Sequence, residues 1–153
     1  MSFALNQKLL GKHLLKIDQS ILLKHNSNKI FKLLDKAFQD IFGHKLFTVL
    51  KYDNKLLELE RIYSSNPLNY PLNGIKKLTY TDWSKKVLVD GNVYIGYNAN
   101  DIEISFPDYE LIDKLGCRSV MNIPLIFNGN VVGSVNLLNT ENWYNEHQVS
   151  AAN

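Results

Sequence analysis

The stretch Ser119–Asn139 constrains this chain more than any other. Two apolar runs, Ser119 to Phe127 and Val131 to Asn139, flank Asn128-Gly129-Asn130. Asn-Gly between apolar runs favours a tight turn with positive φ at both central residues. Glycine has no Cβ to clash there, asparagine tolerates the left-handed region, and the twist of the turn matches that of paired strands. The stretch therefore reads as an antiparallel hairpin. Pro124 has no N–H to give to a ladder, which predicts an edge or a bulge at that point. Asn122 and Asn136 interrupt the two runs. An amide inside a sheet must find partners or cost stability, so the pair marks a structural network or a ligand contact.

A second hairpin is expected over residues 46–64. Leu46-Phe-Thr-Val-Leu-Lys-Tyr52 is rich in β-branched and aromatic residues, Asp53-Asn54 is turn chemistry, and Leu56 to Ser64 follows as the return strand. Strict alternation puts Leu57, Leu59, Arg61 and Tyr63 on one face. Arg61 then lies on the more apolar face, where it must snorkel to the sheet edge, pair with a carboxylate or hold an anion.

Helical spacing appears at residues 5 to about 24, interrupted by Gly11, and at 28 to 42, where Ile30, Phe31, Leu34, Ala37, Phe38 and Ile41 share a face. Asn26, Ser27 and Asn28 are caps for the second helix and Gly43 is its stop. Residues 65–74 read as a loop, either a lid or a plain crossover. Thr81 caps a short helix to Asp90, ended by Gly91. A brief strand follows at 92–95, then a loop at 98–101 and a helix from Pro107 stopped by Gly116. The last helix is expected at 145–152. Hairpins outnumber parallel crossovers, so the expected class is α/β of the α+β kind: a central antiparallel sheet with helices packed on it.

The 153 residues suit one domain with an ordinary core. Residues 1–25 are expected to be a helical segment of that domain or a dimer contact, and 26–153 the domain proper. The formal charge of +2 and the scattered lysines argue against nucleic acid as a partner. No apolar run approaches the roughly 20 residues of a membrane span. The start lacks a signal-peptide layout, so a cytoplasmic location is expected. The single cysteine excludes an intramolecular disulfide. No Cys/His pair has ligand spacing, no phosphate loop occurs, and neither a metal nor a cofactor is expected. The four histidines sit in polar surroundings and read as surface residues.

Ser119-Val-Met-Asn-Ile-Pro-Leu-Ile-Phe-Asn-Gly-Asn-Val-Val-Gly-Ser-Val-Asn-Leu-Leu-Asn139 resembles the GAF family, a relative of PAS domains. Its strand ends in Ile-Pro-Leu, its turn contains Gly, and its return strand opens Val-Val-Gly. Leu46-Phe-Thr-Val-Leu, Arg61-Ile-Tyr-Ser-Ser-Asn-Pro, Tyr70-Pro-Leu-Asn-Gly, Thr81-Asp-Trp83 and Leu115-Gly-Cys-Arg-Ser119 extend the similarity, which is to bacterial proteins made of a lone GAF domain. The resemblance implies about six antiparallel strands with helices on both faces and a pocket on one of them. It also implies a sensory or regulatory, ligand-binding role. Free methionine-R-sulfoxide reductases are more distant relatives. Their nucleophilic cysteine is replaced here by Asp113 and their substrate-binding glutamate by Val120, and there is no second thiol to resolve an intermediate.

The candidate ligand-binding residues are Arg61, Tyr63, Ser65, Tyr70, Trp83, Tyr97, Tyr109, Ser119, Asn122 and Asn136. They combine aromatic walls with a few polar groups, as pockets do. No catalytic residue is assigned. Cys117, between Gly116 and Arg118, is either a thiol activated by the guanidinium or a small buried residue. The expected function is binding of a small molecule, a small anionic metabolite gripped by Arg61. An enzyme acting on such an anion and a pure dimerisation module are the alternatives. A homodimer is expected through Leu10, Leu14, Ile17 and Ile21, with a separate signalling partner to receive the output.

Overall fold

The computed structural model describes residues 4–72 and 74–152. It divides into two compact units, Met1–His44 and Lys45–Asn153. The first is a pair of helices, α1 (Gln7–Leu22) and α2 (Ser27–Ile41), capped by Asn6 and Asn26, whose side chains accept from Leu9 N and Lys29 N. Two histidines depart from the sequence reading here. His13 is buried and its Nε2 lies 3.0 Å from Asp40, while His44 Nε2 lies 2.9 Å from Asp35. Each has found a carboxylate on α2, which is what lets an imidazole leave water.

The second unit is built on one six-stranded sheet in the order β3-β2-β1-β6-β5-β4, every neighbouring pair antiparallel. The strands are β1 (Leu46–Asp53), β2 (Glu58–Ser64), β3 (Ile75–Lys77), β4 (Tyr94–Gly96), β5 (Ser119–Phe127) and β6 (Asn130–Asn139). The β5–β6 turn has φ of 48° at Asn128 and 76° at Gly129, the double left-handed geometry that Asn-Gly favours. Pro124 lies beyond the residues paired with β4, so one side of β5 is open there, and the β5–β6 register shifts just past it at Leu125/Ile126. Gly133 is required by a close approach: a Cβ there would meet the Leu50 carbonyl oxygen at 2.1 Å.

Between the strands lie α3 (Asp82–Ser84), running on into a π-helical turn over Lys85–Val89, then α4 (Ala99–Ser105) and α5 (Tyr109–Lys114), with α6 (Val149–Ala152) at the end. Thr81 caps α3 through a capping box with Ser84. Residues 98–101, read as loop, instead open α4. Asn98 accepts from Asp101 N as its cap, and no apolar period announced so short a helix. β3 was also not foreseen, because Ile75-Lys-Lys is too short to show alternation and is exposed throughout. No helix among the described residues is long and apolar enough to cross a membrane.

One face of the sheet carries Leu46, Val120 and Leu138. They pack with Tyr70, Ile102, Ile112 and Cys117. Farther along, Tyr52 packs with Trp83, Val87 and Leu88, bordered by Leu50, Leu59 and Phe106. These two clusters support the ends of a cavity.

Candidate functional site

The cavity has a volume of about 370 Å³, within the usual range for small-molecule sites. Its floor is the sheet, with Thr48 and Leu50 from β1, Leu59 and Arg61 from β2, Val120 and Asn122 from β5, and Asn136 and Leu138 from β6. Its cover comes from Tyr70, Leu72 and Thr79 of the β2–β3 region and the link to α3. Trp83 and the run Glu103–Asp108 complete it.

Register explains the polar floor. Ser64 faces Thr48, Thr48 faces Asn136, Asn136 faces Asn122, and Asn122 faces Tyr94, a belt across five strands. Asn136 Nδ2 donates to Thr48 Oγ1 at 3.1 Å. Its Oδ1 accepts from Asn122 Nδ2 at 2.6 Å and from Ser134 Oγ at 2.9 Å. Tyr94 Oη and Ser105 Oγ are 2.8 Å apart at the end of the belt. Asn122 is 1% exposed, and its Oδ1 has no partner.

Arg61 stands over the other half of the floor, its side chain 12% exposed. Its Nη2 donates to Asp108 Oδ2 at 3.3 Å and its Nη1 to the Pro71 carbonyl. The guanidinium carbon sits 3.8 Å over the Tyr70 ring, and the Tyr70 hydroxyl donates to the same Asp108 oxygen. Burial, and then the Asp108 charge, push the Tyr70 hydroxyl far above its ordinary range, so it stays protonated and donating. Trp83 meets Phe106 edge to face at 5.2 Å, which fixes the indole plane.

Five of the ten sequence candidates line this cavity: Arg61, Tyr70, Trp83, Asn122 and Asn136. The other five do not. Tyr63 is turned to the opposite face, where it meets Phe47 edge to face. The alternation that placed it beside Arg61 is broken by a bulge. Arg61 pairs with Leu50 and Tyr63 with the adjacent Val49, leaving Ile62 as the extra residue. Leu57 likewise leaves the strand, taking φ 53° in the turn. The Ser65 hydroxyl accepts from Phe47 N and closes the end of the β1–β2 hairpin. Tyr97 donates to Glu146 at 2.9 Å near the surface. Ser119 is buried and donates to the Thr140 carbonyl at 2.6 Å. Tyr109 borders a separate depression with Asp113, Cys117 and Arg118.

Arg61 was expected to snorkel to the sheet edge, pair with a carboxylate or hold an anion. In the structure its Nη2 meets Asp108 and its Nη1 the Pro71 carbonyl, so the carboxylate partner is Asp108. Asp108 was missed because it lies in a short Phe-Pro-Asp link whose path no periodicity fixes. Thr48 was missed inside an apolar run. Cys117 is buried, and burial pushes its thiol up to about 11, the reverse of an activated nucleophile. The Arg118 guanidinium is turned to Asp113 at 3.1 Å. Among the described residues, no group of three or more His, Cys, Asp or Glu side chains could hold a metal.

A six-stranded antiparallel sheet in this order, with a cavity between one face and the crossover segments, is the GAF-domain fold. The GAF domain of a phosphoenolpyruvate-protein phosphotransferase from Acinetobacter superposes with a TM-score of 0.70 at 14% identity, over 95% of this chain and 83% of that one. The corresponding domain from Coxiella burnetii gives 0.68 at 17% identity, over 96% and 90%. The GAF domain of nlh2 from A. aeolicus gives 0.65 at 13%, over 95% and 86%. No family model matches the sequence, and no curated protein matches it either. At these identities the likeness is one of fold.

Proposed function

We propose that this is a small-molecule-binding GAF domain of sensory or regulatory type, with its ligand in the cavity over the Asn122–Asn136 floor. One observation carries the reading. Among the described residues, the buried side-chain nitrogen and oxygen atoms without a hydrogen-bond partner are Arg61 Nε, Trp83 Nε1 and Asn122 Oδ1. All three residues line this one cavity. Buried polar groups are nearly always paired, because each orphan costs on the order of 1–3 kcal/mol. Three such groups, in residues around a single cavity of ligand-site volume, set this region apart from plain core. GAF domains similar in fold belong to a phosphoenolpyruvate-protein phosphotransferase and to a two-component sensor histidine kinase, which fits a regulatory role.

A small anionic metabolite, the expectation from Arg61, is supported by the free Nε alone and opposed by Asp108, which already balances the guanidinium. The test is a metabolite screen by protein NMR, read at the Trp83 indole N–H and the Asn122 and Asn136 side-chain amides. Binding moves these resonances together. A broad screen at millimolar concentration that moves none of them would falsify the ligand-site reading.

A further inference from the structure

We infer that the cavity takes a small molecule with a hydrocarbon part, seated so that this part lies at the mouth against Leu72 and Ile104. This rests on the ligand-site reading above and specifies the class of ligand.

The lining is apolar where water reaches it. Leu72, on the β2–β3 connection, is 43% exposed, and Ile104, on α4, is 67% exposed. A lone exposed aliphatic side chain is ordinary. These two line one cavity, whose wall continues inward through Leu50, Leu59, Trp83 and Phe106. Apolar side chains thus run from the interior out to solvent, and a ligand that follows them would bury the accessible ends.

Core packing accounts for neither position. α4 buries Ile102 and Ser105. Ile104 follows Ile102 by two residues, roughly 200° around a helix, so it projects away from the core that Ile102 enters. Leu72 follows Pro71, whose carbonyl accepts from Arg61 Nη1, which pins the chain at the cavity just before it.

Much of the polar lining is already engaged. Asn122 donates to Asn136, and Asn136 donates to Thr48 and accepts from Ser134. Arg61 faces Asp108, and Lys77 faces Glu58. Removal of apolar surface from water is then the main gain left to a ligand, and that gain grows with the area covered.

The straight-chain primary alcohols butanol, hexanol and octanol test this, since they share one uncharged head and differ only in chain length. Each is titrated into the full chain, with binding read by NMR at the Leu72 and Ile104 methyl groups and the Trp83 indole. Affinity is expected to rise about three- to fourfold for each added CH2. Ile104→Ser changes an exposed side chain, and is expected to weaken octanol by about fivefold and butanol by less than about twofold. Leu72→Ser should do the same. Affinity that does not grow with chain length overturns the inference and leaves the ligand site standing. So does a series that climbs equally in the parent and both variants, or a cavity that answers other screened compounds but no alcohol. If no compound of either kind moves the Trp83, Asn122 and Asn136 resonances, the ligand-site reading falls with it.

Discussion

Replacing Asp108 with alanine removes the only carboxylate that the described residues offer to Arg61. The guanidinium is 12% exposed and the carboxylate 27% exposed. Breaking a fully buried pair by deleting one partner costs roughly 3–5 kcal/mol, because a charge is left stranded in a poor solvent. Here the carboxylate end is partly wet, so solvent recovers a share. The stranded Tyr70 hydroxyl adds about 1 kcal/mol. A net loss of about 2–3 kcal/mol is expected. In urea, where m is about 1–3 kcal/mol per molar, the midpoint should fall by about 1–2 M with an unchanged slope. Asp108→Asn keeps an acceptor for both donors and should lose less than the alanine variant. Arg61→Met combined with Asp108→Ala should recover part of the loss, since the stranded cation is gone. If the alanine variant loses under about 0.5 kcal/mol, or the double variant is the weaker of the two, the ion pair does not hold this corner of the cavity.

Gly133→Ala should cost about 3 kcal/mol or prevent folding, because its Cβ would lie 2.1 Å from the Leu50 carbonyl oxygen and part β1 from β6; a thermal melt within a degree of the parent would refute the close approach. The Cys117 pKa, raised to about 11 by burial, lies above the roughly 8.5 of an unfolded cysteine. Its contribution is therefore complete below about 8.5 and lost as pH rises toward 11, and Cys117→Ser should flatten the decline in stability between about 8.5 and 10, below the range where tyrosines titrate. In the native chain the same thiol should resist iodoacetamide at neutral pH, and rapid labelling would contradict its burial. On α1, Leu14 and Ile21 are each about half exposed. If a second copy covers them, sedimentation will show a dimer that Leu14→Glu with Ile21→Glu dissociates, and a monomer in the parent protein would remove that interface.

The sheet was legible where chemistry is local. Asn128-Gly129 announces its turn, Asp53 makes its own by accepting from Lys55 and Leu56 N, and Thr81 and Asn26 announce their helices. The site was legible where alternation survives: Asn122 and Asn136 face each other because nothing interrupts the ladder between them. It failed at Tyr63, because a single extra residue at Ile62 inverts every inference beyond it, and bulges leave little trace in composition. Asp108 escaped for a different reason. Its partnership with Arg61 spans 47 positions and depends on where a short link happens to cross the sheet, which local propensity does not determine. Five of the ten candidate side chains turned out to have structural partners elsewhere, and residue type alone does not separate a ligand contact from a satisfied hydroxyl.

The belt of polar side chains has a consequence for how the chain finds its pairing. A slip of one residue between β5 and β6 would expose every inward side chain, and the apolar pattern forbids it. A slip of two keeps the same faces inward, and against it the leucines and valines offer little discrimination. The amides do. Asn136 moved by two positions would face Val120 or Pro124 in place of Asn122, and two buried amides would lose each other at once. The same happens on its other side, where Thr48 would be left behind. The buried asparagines thus act as a checksum on strand alignment, rejecting the errors that hydrophobicity lets pass.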